Sequence, residues 1–228
     1  MAELTYHAHA SYSLSDGNHD LLFDPFITGN PLATISADDL NPDYILLTHG
    51  HSDHIGDAVP VALRSGAKII ASFELANYCE AQGADTHDLG IGGSHTFPFG
   101  RVKLTQATHS SSVTSDDGTI VYLGNPAGII VDFDGKTIYN TGDTGLFGDM
   151  ALIGRMEKPD VVILPIGDNY TMGIDDAVEA VRMIGAGTVI PVHYNTFPVI
   201  EQDPTEFVEK VGDLARCVVL KPGQSVTL

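Results

Sequence analysis

The stretch Thr48-His49-Gly50-His51-Ser52-Asp53-His54 packs four side chains able to ligate metal into six residues. Imidazole nitrogen and carboxylate oxygen suit zinc, manganese, iron or nickel better than calcium or magnesium alone. His49 and His51 are two apart, so an extended backbone points both to one side. Asp53 and His54 are adjacent, so they diverge from each other and can face a second ion. Gly50 removes a Cβ where the chain must turn. The chain has ten histidines in 228 residues. Three of them beside an aspartate in one short window is more than a polar loop gathers by chance, and the spacing carries a mechanism.

One such cluster does not complete two metal sites, so other segments must contribute. His109 ends RVKLTQATH, Asp143 follows KTIYNTG and His193 follows TVIPV. Each lies just past an apolar segment that reads as a strand. Loops gathered at one rim of a sheet scaffold are where function concentrates. Taken alone, Asp143 would be a turn aspartate capping the next helix. The shared strand-end position is what groups the three with the first cluster.

The elements that must position these residues follow from pattern and punctuation. Residues 43–48 (DYILLT) are an apolar run after Asn41-Pro42, hence a buried strand. Asp16-Gly17-Asn18 is a turn between two short strands. A helix over 57–65 is closed by Gly66, a strand covers 68–72, and a helix over 74–82 stops at Gly83. The section 86–141 is strand-rich, with a hairpin at Asp134-Gly135. Then come a helix over 146–155, a strand over 160–166 and a helix over 175–184 with acidic residues in its first turn. A strand over 188–192, a helix over 204–214 and two short strands close the chain. Strands with helices in both halves predict a layered α/β architecture with two sheets. No linker or short repeat divides the chain, so one domain over 1–228 is expected.

Composition narrows the function. Eleven Lys and Arg stand against 30 Asp and Glu, a net charge of -19. That excludes the basic surface needed to hold nucleic acid or an anionic membrane. Hydrophobic residues at 43% and charged residues at 18% exclude a disordered chain. Cys79 and Cys217 are too few and too far apart for a disulfide framework, and read as thiols in a reducing compartment. The first residues show no basic start followed by an apolar run, and no 18-residue apolar stretch occurs. A cytoplasmic protein is expected.

The motifs THGHSDH, ATHS, TGDT and PVHYNTF, in this order over almost the whole chain, resemble the metallo-β-lactamase superfamily. Within it the chain is similar to the UPF0173 group of metal-dependent hydrolases, relatives of the ascorbate-6-phosphate lactonase. The segment His9-Ala10-Ser11, TGDT, IGDNYTMG and PVHYNTF carry that closer match. The resemblance implies a four-layer αββα sandwich with a dinuclear centre at one edge. It implies a first metal on His49, His51 and His109, a second on Asp53, His54 and His193, and a bridging Asp143. Asp53 is implied as the catalytic residue that orients the nucleophile and carries its proton.

The expected cofactors are two divalent transition-metal ions, zinc foremost, with manganese, iron or nickel as alternatives. Such a pair can share a hydroxide, because bound water ionises near pH ~7. The expected reaction is attack on an ester, lactone, amide or phosphodiester of a small molecule. No basic residue sits beside a metal motif, which weighs against a phosphorylated lactone. The acidic charge weighs against the RNA-cleaving members. The alternative class is a non-catalytic metal-binding or sensor protein on the same fold, and the complete ligand set argues against it. Relatives that oligomerise make a homo-oligomer an open expectation.

Three further residues are candidates for contact with substrate or with a ligand. His9 shares a strand face with His7. Asp168 and Tyr170 follow the strand DVVILPIG, and either cap the helix 175–184 or position substrate. Phe26, Tyr194 and Phe197 are candidates for an apolar pocket wall. His19, His87 and His95 read as surface residues.

Overall fold

The computed structural model describes residues 1–115 and 117–228. Two seven-stranded sheets and a two-stranded ribbon make up its β-structure. In the first sheet β1 (Glu3–Ala8), β2 (Ser11–Ser15) and β3 (Asp20–Phe23) form an antiparallel meander. From β3 the sheet continues in parallel through β4 (Tyr44–Leu46), β5 (Lys68–Ser72) and β6 (Thr86–Leu89). The second sheet repeats this plan. β7 (Ser94–Phe97), β8 (Gly100–Gln106), β11 (Ala127–Phe133) and β12 (Lys136–Asn140) are antiparallel. β13 (Val161–Pro165), β14 (Thr188–Val192) and β15 (Arg216–Cys217) then extend it in parallel from β12. β9 (Ser112–Thr114) and β10 (Ile120–Tyr122) form the separate ribbon. The last strand, β16 (Ser225–Thr227), returns to pair with β1.

Three apolar clusters fill the three gaps between four layers. Tyr12, Phe23, Val102, Ile129 and Ile163 lie in the gap between the sheets, with the Tyr12 and Phe23 rings stacked at 4.4 Å. α2 (Ala58–Ser65) and α3 (Phe73–Glu80) cover the outer face of the first sheet, where Ile45, Ile69 and Leu75 are buried. α4 (Met150–Glu157), α5 (Ile174–Ile184) and α6 (Pro204–Val211) cover the second sheet over Val162, Val181 and Phe207. The architecture is therefore the expected αββα sandwich. Parallel strands covered on both faces must be apolar on both, which is why DYILLT and VVILP show no alternation. α5 buries Ile174, Ala177, Val178, Val181 and Ile184, one stripe at helical spacing, and ends at Gly185 with φ 72°.

Two helices depart from the pattern. The helix expected over 146–155 is α4, starting only at Met150. Gly145 and Gly148 flank Leu146 and Phe147, which pack half-buried against the outer core as a loop instead. The helix expected to reach 214 ends at Val211, because Gly212 at φ 49° breaks it into a 3-10 turn. Among the described residues, no helix is long and apolar enough to cross a membrane.

Candidate metal centre

β1, β3, β4, β8, β12 and β14 all deliver polar residues just beyond their C-terminal ends. These are His9, Asp24, the His49–His54 segment, His109, Asp143 and His193. The pairing directions above place those ends on one rim of the two sheets. After β4 the chain stays extended to His51, then forms a single helical turn, α1 (Ser52–Ile55). Asp53 and His54 therefore do not diverge as an extended segment would make them. They belong to one donor group with His9 and His193, whose ligand atoms lie within 4.8 Å of one another. His49, His51 and His109 form a second group, and His49, His54 and Asp143 a third.

Two glycines permit this crowding. A Cβ at Gly50 would collide with the Leu123 side chain. Gly142 sits at φ 63°, and a Cβ there would press on the Ala127 carbonyl and on Thr48. The TGD turn thus needs glycine for Asp143 to reach inward.

Asp24 was not singled out in the sequence, yet it orders the site. It is 1% exposed. Its Oδ1 accepts from the Thr48 N–H at 2.9 Å and its Oδ2 from the Thr48 hydroxyl at 2.7 Å. His54 Nδ1 lies 2.9 Å from the same Oδ2 and must be the donor, since a carboxylate only accepts. The Thr48 hydroxyl donates its hydrogen bond to Asp24, so its oxygen accepts from His49 Nδ1 at 3.0 Å. One buried carboxylate therefore leaves the Nε2 lone pairs of both His49 and His54 free. Ser110 plays a smaller part, with its hydroxyl 3.2 Å from His51 Nε2, leaving Nδ1 inward.

The result is a set of lone pairs with nothing to share. His51 Nδ1 faces His49 Nε2 at 2.9 Å and His109 Nε2 at 3.2 Å. His54 Nε2 is buried with no hydrogen-bond partner. Oδ2 of Asp143 lies 3.0 Å from His193 Nε2, 3.3 Å from His54 Nε2, 3.6 Å from His109 Nε2 and 3.9 Å from His49 Nε2. Imidazoles converging around a shared carboxylate oxygen fit a transition-metal cation.

The electrostatics agree. Burial lowers the pKa values of His49, His51 and His109, and holds them neutral as ligation requires. Burial also disfavours charge on His54, but Asp143 and then Asp24 outweigh it and hold this imidazole well above its ordinary value. Burial would raise the Asp143 carboxyl, yet the neighbouring His193 and His54 bring it well below the usual range. His54 is thus the one imidazole of the set drawn towards its protonated form, and ligation there requires that proton to leave.

His9 is fully buried and joins the two halves. Its Nε2 lies 3.1 Å from Asp53 Oδ2, and its Nδ1 lies 2.9 Å from the Thr196 hydroxyl. Its carbonyl accepts from the His193 N–H at 2.8 Å, and the two rings lie 4.0 Å apart. His9 at φ 58° and His193 at φ 55° both sit in the left-handed region. That conformation costs non-glycine residues about 1 kcal/mol or more and persists only where contacts enforce it. Burial and the nearby His193 lower the His9 pKa to about 4.

These groups floor a cavity of about 850 Å³. His51, Asp53, His109, Asp143 and His193 are on the floor, and Phe26, Tyr170, Phe197 and Val199 form a wall. A volume of that size holds a small molecule.

A beta-lactamase superfamily domain model matches residues 19–194. A UPF0173 metal-dependent hydrolase of Bacillus cereus (strain B4264) is 52% identical over 229 residues, covering 99% of this chain and 100% of the relative. The chain belongs to the UPF0173 metal-dependent hydrolases of the metallo-β-lactamase superfamily. As such it is a metal-dependent hydrolase, and its histidine and aspartate groups fit metal binding. Among solved structures, Igni18, a metallo hydrolase from the archaeon Ignicoccus hospitalis KIN4/I, is 38% identical with a TM-score of 0.90. That match covers 99% of this chain and 97% of Igni18. An isothiocyanate hydrolase from Delia radicum gut bacteria shares the fold, at 22% identity and a TM-score of 0.78 over 99% of this chain and 98% of its own.

Of the other residues singled out in the sequence, Tyr170 lines the cavity mouth at 56% exposure, and Phe26 and Phe197 line the wall. Asp168 does not line the cavity. It sits at φ 60° in the turn before α5, with its side chain against Gly173. Tyr194 is buried in the outer core under α5 and α6 instead. His87 and His95 are not isolated, since their rings meet at 4.4 Å across the edges of the two sheets. The contributions of Asp24, Thr48, Ser110 and Thr196 were missed. Asp24 carried a usable signal: it follows the strand DLLF, as His109, Asp143 and His193 follow theirs.

Proposed function

We propose that this chain hydrolyses a small molecule with two divalent transition-metal ions. His49, His51 and His109 would hold the first, Asp53, His54 and His193 the second, and Asp143 would bridge them. The observation that carries this reading is the single Asp143 oxygen within 4 Å of four imidazole Nε2 atoms drawn from both donor groups. Bound there, the ions supply Lewis acidity, which brings the ionisation of water to about pH 7 and polarises the bond to be cut.

The chain's own groups do the rest. Asp53 is the most open of the carboxylates facing the cavity, with its side chain 27% exposed against 4% for Asp143. Burial would raise its carboxyl, but the His9 hydrogen bond and the surrounding imidazoles bring it below the usual range. Ionised, it accepts a proton from the attacking water and passes it towards the leaving group. His9 holds its Oδ2 in place. The walls of Phe26 and Phe197 exclude water beside the reacting bond and seat the substrate. A charge of -19 supports a small-molecule substrate over a nucleic acid. Zinc is the favoured ion, with manganese, iron and nickel compatible with the same donors.

The test is metal analysis by mass spectrometry together with a panel of chromogenic esters, lactones, amides and phosphodiesters. Two ions per chain and cleavage of one class are expected. His51→Ala should lose metal and turnover together while its far-ultraviolet circular dichroism stays unchanged. A fully loaded protein that cleaves nothing would instead favour the binding or sensor role.

A further inference from the structure

The site's chemistry says what bond is within reach, while the cavity's charges say what else the substrate carries. The chain has eleven Lys and Arg, and none of them lines the cavity. Several are bound elsewhere. Arg101 and Lys103 meet on Glu157 at 2.7 and 2.6 Å, and Lys210 sits between Asp175 and Glu206 at 2.6 and 2.7 Å. Lys136 and Arg216 lie beside a separate depression at the opposite end of the sheets, with Val161 and Thr188.

The charged side chains at the cavity that are not metal-ligand candidates reduce to Asp57. It is 8% exposed, and its Oδ2 accepts from the Ile27 and Thr28 N–H groups at 2.9 and 2.8 Å. That oxygen is therefore engaged by backbone donors rather than offered to a ligand. Beyond the floor the wall is mostly apolar, although Thr28, Ser110 and Tyr170 bring hydroxyl groups to the lining. The Phe26 and Phe197 rings lie 6.3 Å apart, and Val199 is 56% exposed at the mouth.

Resting on the hydrolase reading above, we infer that the substrate is uncharged beyond its scissile group and carries an apolar group that lies against Phe26, Phe197 and Val199. Metal ions attract an anion at the scissile group itself. A second phosphate or carboxylate beyond that group would meet no cation, an apolar wall and the field of a strongly acidic protein. An apolar group there gains by leaving water. With an ester, water's oxygen bonds to the acyl carbon and the acyl carbon–oxygen bond breaks. One water proton passes to the leaving oxygen. The other is released when the product acid ionises.

The test uses the metal-loaded protein and two pairs of probes. The esters are 4-nitrophenyl butyrate and mono-4-nitrophenyl succinate, which differ mainly in one distal carboxylate. The non-reacting probes are butyrohydroxamate and succinic monohydroxamate, whose affinities are read by calorimetry. The neutral member of each pair should be favoured by about tenfold or more, in kcat/KM and in Kd. Val199→Lys adds a cation at an exposed position and should shift both ratios about tenfold towards the succinyl compound, with metal content unchanged. Equal or reversed preference, or ratios unmoved by Val199→Lys, would overturn the inference. Should neither ester be cleaved, the hydroxamates still decide the charge preference, while the wider panel above decides the hydrolase reading. If neither hydroxamate binds, the assignment of this cavity as the substrate site is overturned.

Discussion

The two halves of the molecule share one strand plan and use it differently. Each sheet is an antiparallel set followed by a parallel run, with the change of direction at β3–β4 in one and at β12–β13 in the other. At both changes the earlier strand is followed by an aspartate, Asp24 directly after β3 and Asp143 three residues after β12. Asp24 accepts from Thr48 and His54 and so orients two candidate ligands, His54 directly and His49 through Thr48. Asp143 turns inward and lies among four imidazoles. The first half then delivers four donors from a single loop, while the second delivers one donor per strand end. The same scaffold position thus supplies an orienting carboxylate in one half and a shared ligand in the other. Loops at the point where strand order changes are where α/β folds build sites.

Neutralising each aspartate in turn separates the two roles. Asp143→Asn should strip both donor groups of their common anion. Metal should fall to near zero by mass spectrometry, and turnover by about a thousandfold or more, as loss of several kcal/mol of Lewis-acid stabilisation demands. If Asp143→Asn keeps a full pair of ions, the shared-ligand reading fails.

Asp24→Asn should act on both groups although Asp24 belongs to neither. An amide can donate where the carboxylate only accepts, so His54 and Thr48 lose their fixed roles. Metal affinity should fall about 10–100-fold at both groups, the usual effect of removing an orienting partner. The variant should also be less stable by about 1–3 kcal/mol, because buried partners are left unpaired. Chelator competition and thermal melting read the two effects separately. Loss confined to one group would show that Asp24 orients only one histidine.

This asymmetry also explains what was legible beforehand. The first half's donors are adjacent in sequence, so His49, His51, Asp53 and His54 identify themselves by spacing. The second half's donors are separated by whole elements, and only their common place after apolar strands links His109, Asp143 and His193. Apolar runs such as DYILLT, Lys68–Ser72 and Thr188–Val192 stood out because strands covered on both faces must be apolar throughout. Asp24 stayed hidden because an aspartate after a strand and before a proline reads as a turn residue. Its role appears only when β3 lies beside β4. The conformations of Asp53 and His54 were misjudged for a related reason: the single turn of α1 is too short to leave a periodic signal. The cavity wall depends on side chains far apart in sequence, and no pattern announces such a meeting.

His9 sharpens the comparison at the seam between halves, because it joins Asp53 of one to His193 and Thr196 of the other. His9→Ala should weaken the group of Asp53, His54 and His193 by about tenfold and leave the group of His49, His51 and His109 unchanged. His9→Gln retains an N–H towards Asp53 and should recover part of that loss. A chelator titration resolved into two steps measures this directly. Equal weakening at both steps, or no rescue by glutamine, would mean that His9 acts by packing alone.

Ser110 should matter least, and the reason lies in its exposure. Its hydroxyl accepts from His51 Nε2 as the Thr48 oxygen accepts from His49 Nδ1. The Thr48 hydroxyl is buried and bound to Asp24, so no water can replace it. The Ser110 contact lies open to solvent at the cavity mouth, where water can take the proton of His51 at little cost. Ser110→Ala should therefore lower metal affinity only a few-fold, well short of the roughly 10–100-fold expected when a buried orienting partner is lost. The same chelator titration, run on Ser110→Ala beside Thr48→Val, tests whether burial sets the size of the effect. A Ser110→Ala loss as large as that of Thr48→Val would mean that His51 depends on its hydroxyl partner as strictly as His49 does, and burial would not be the deciding variable.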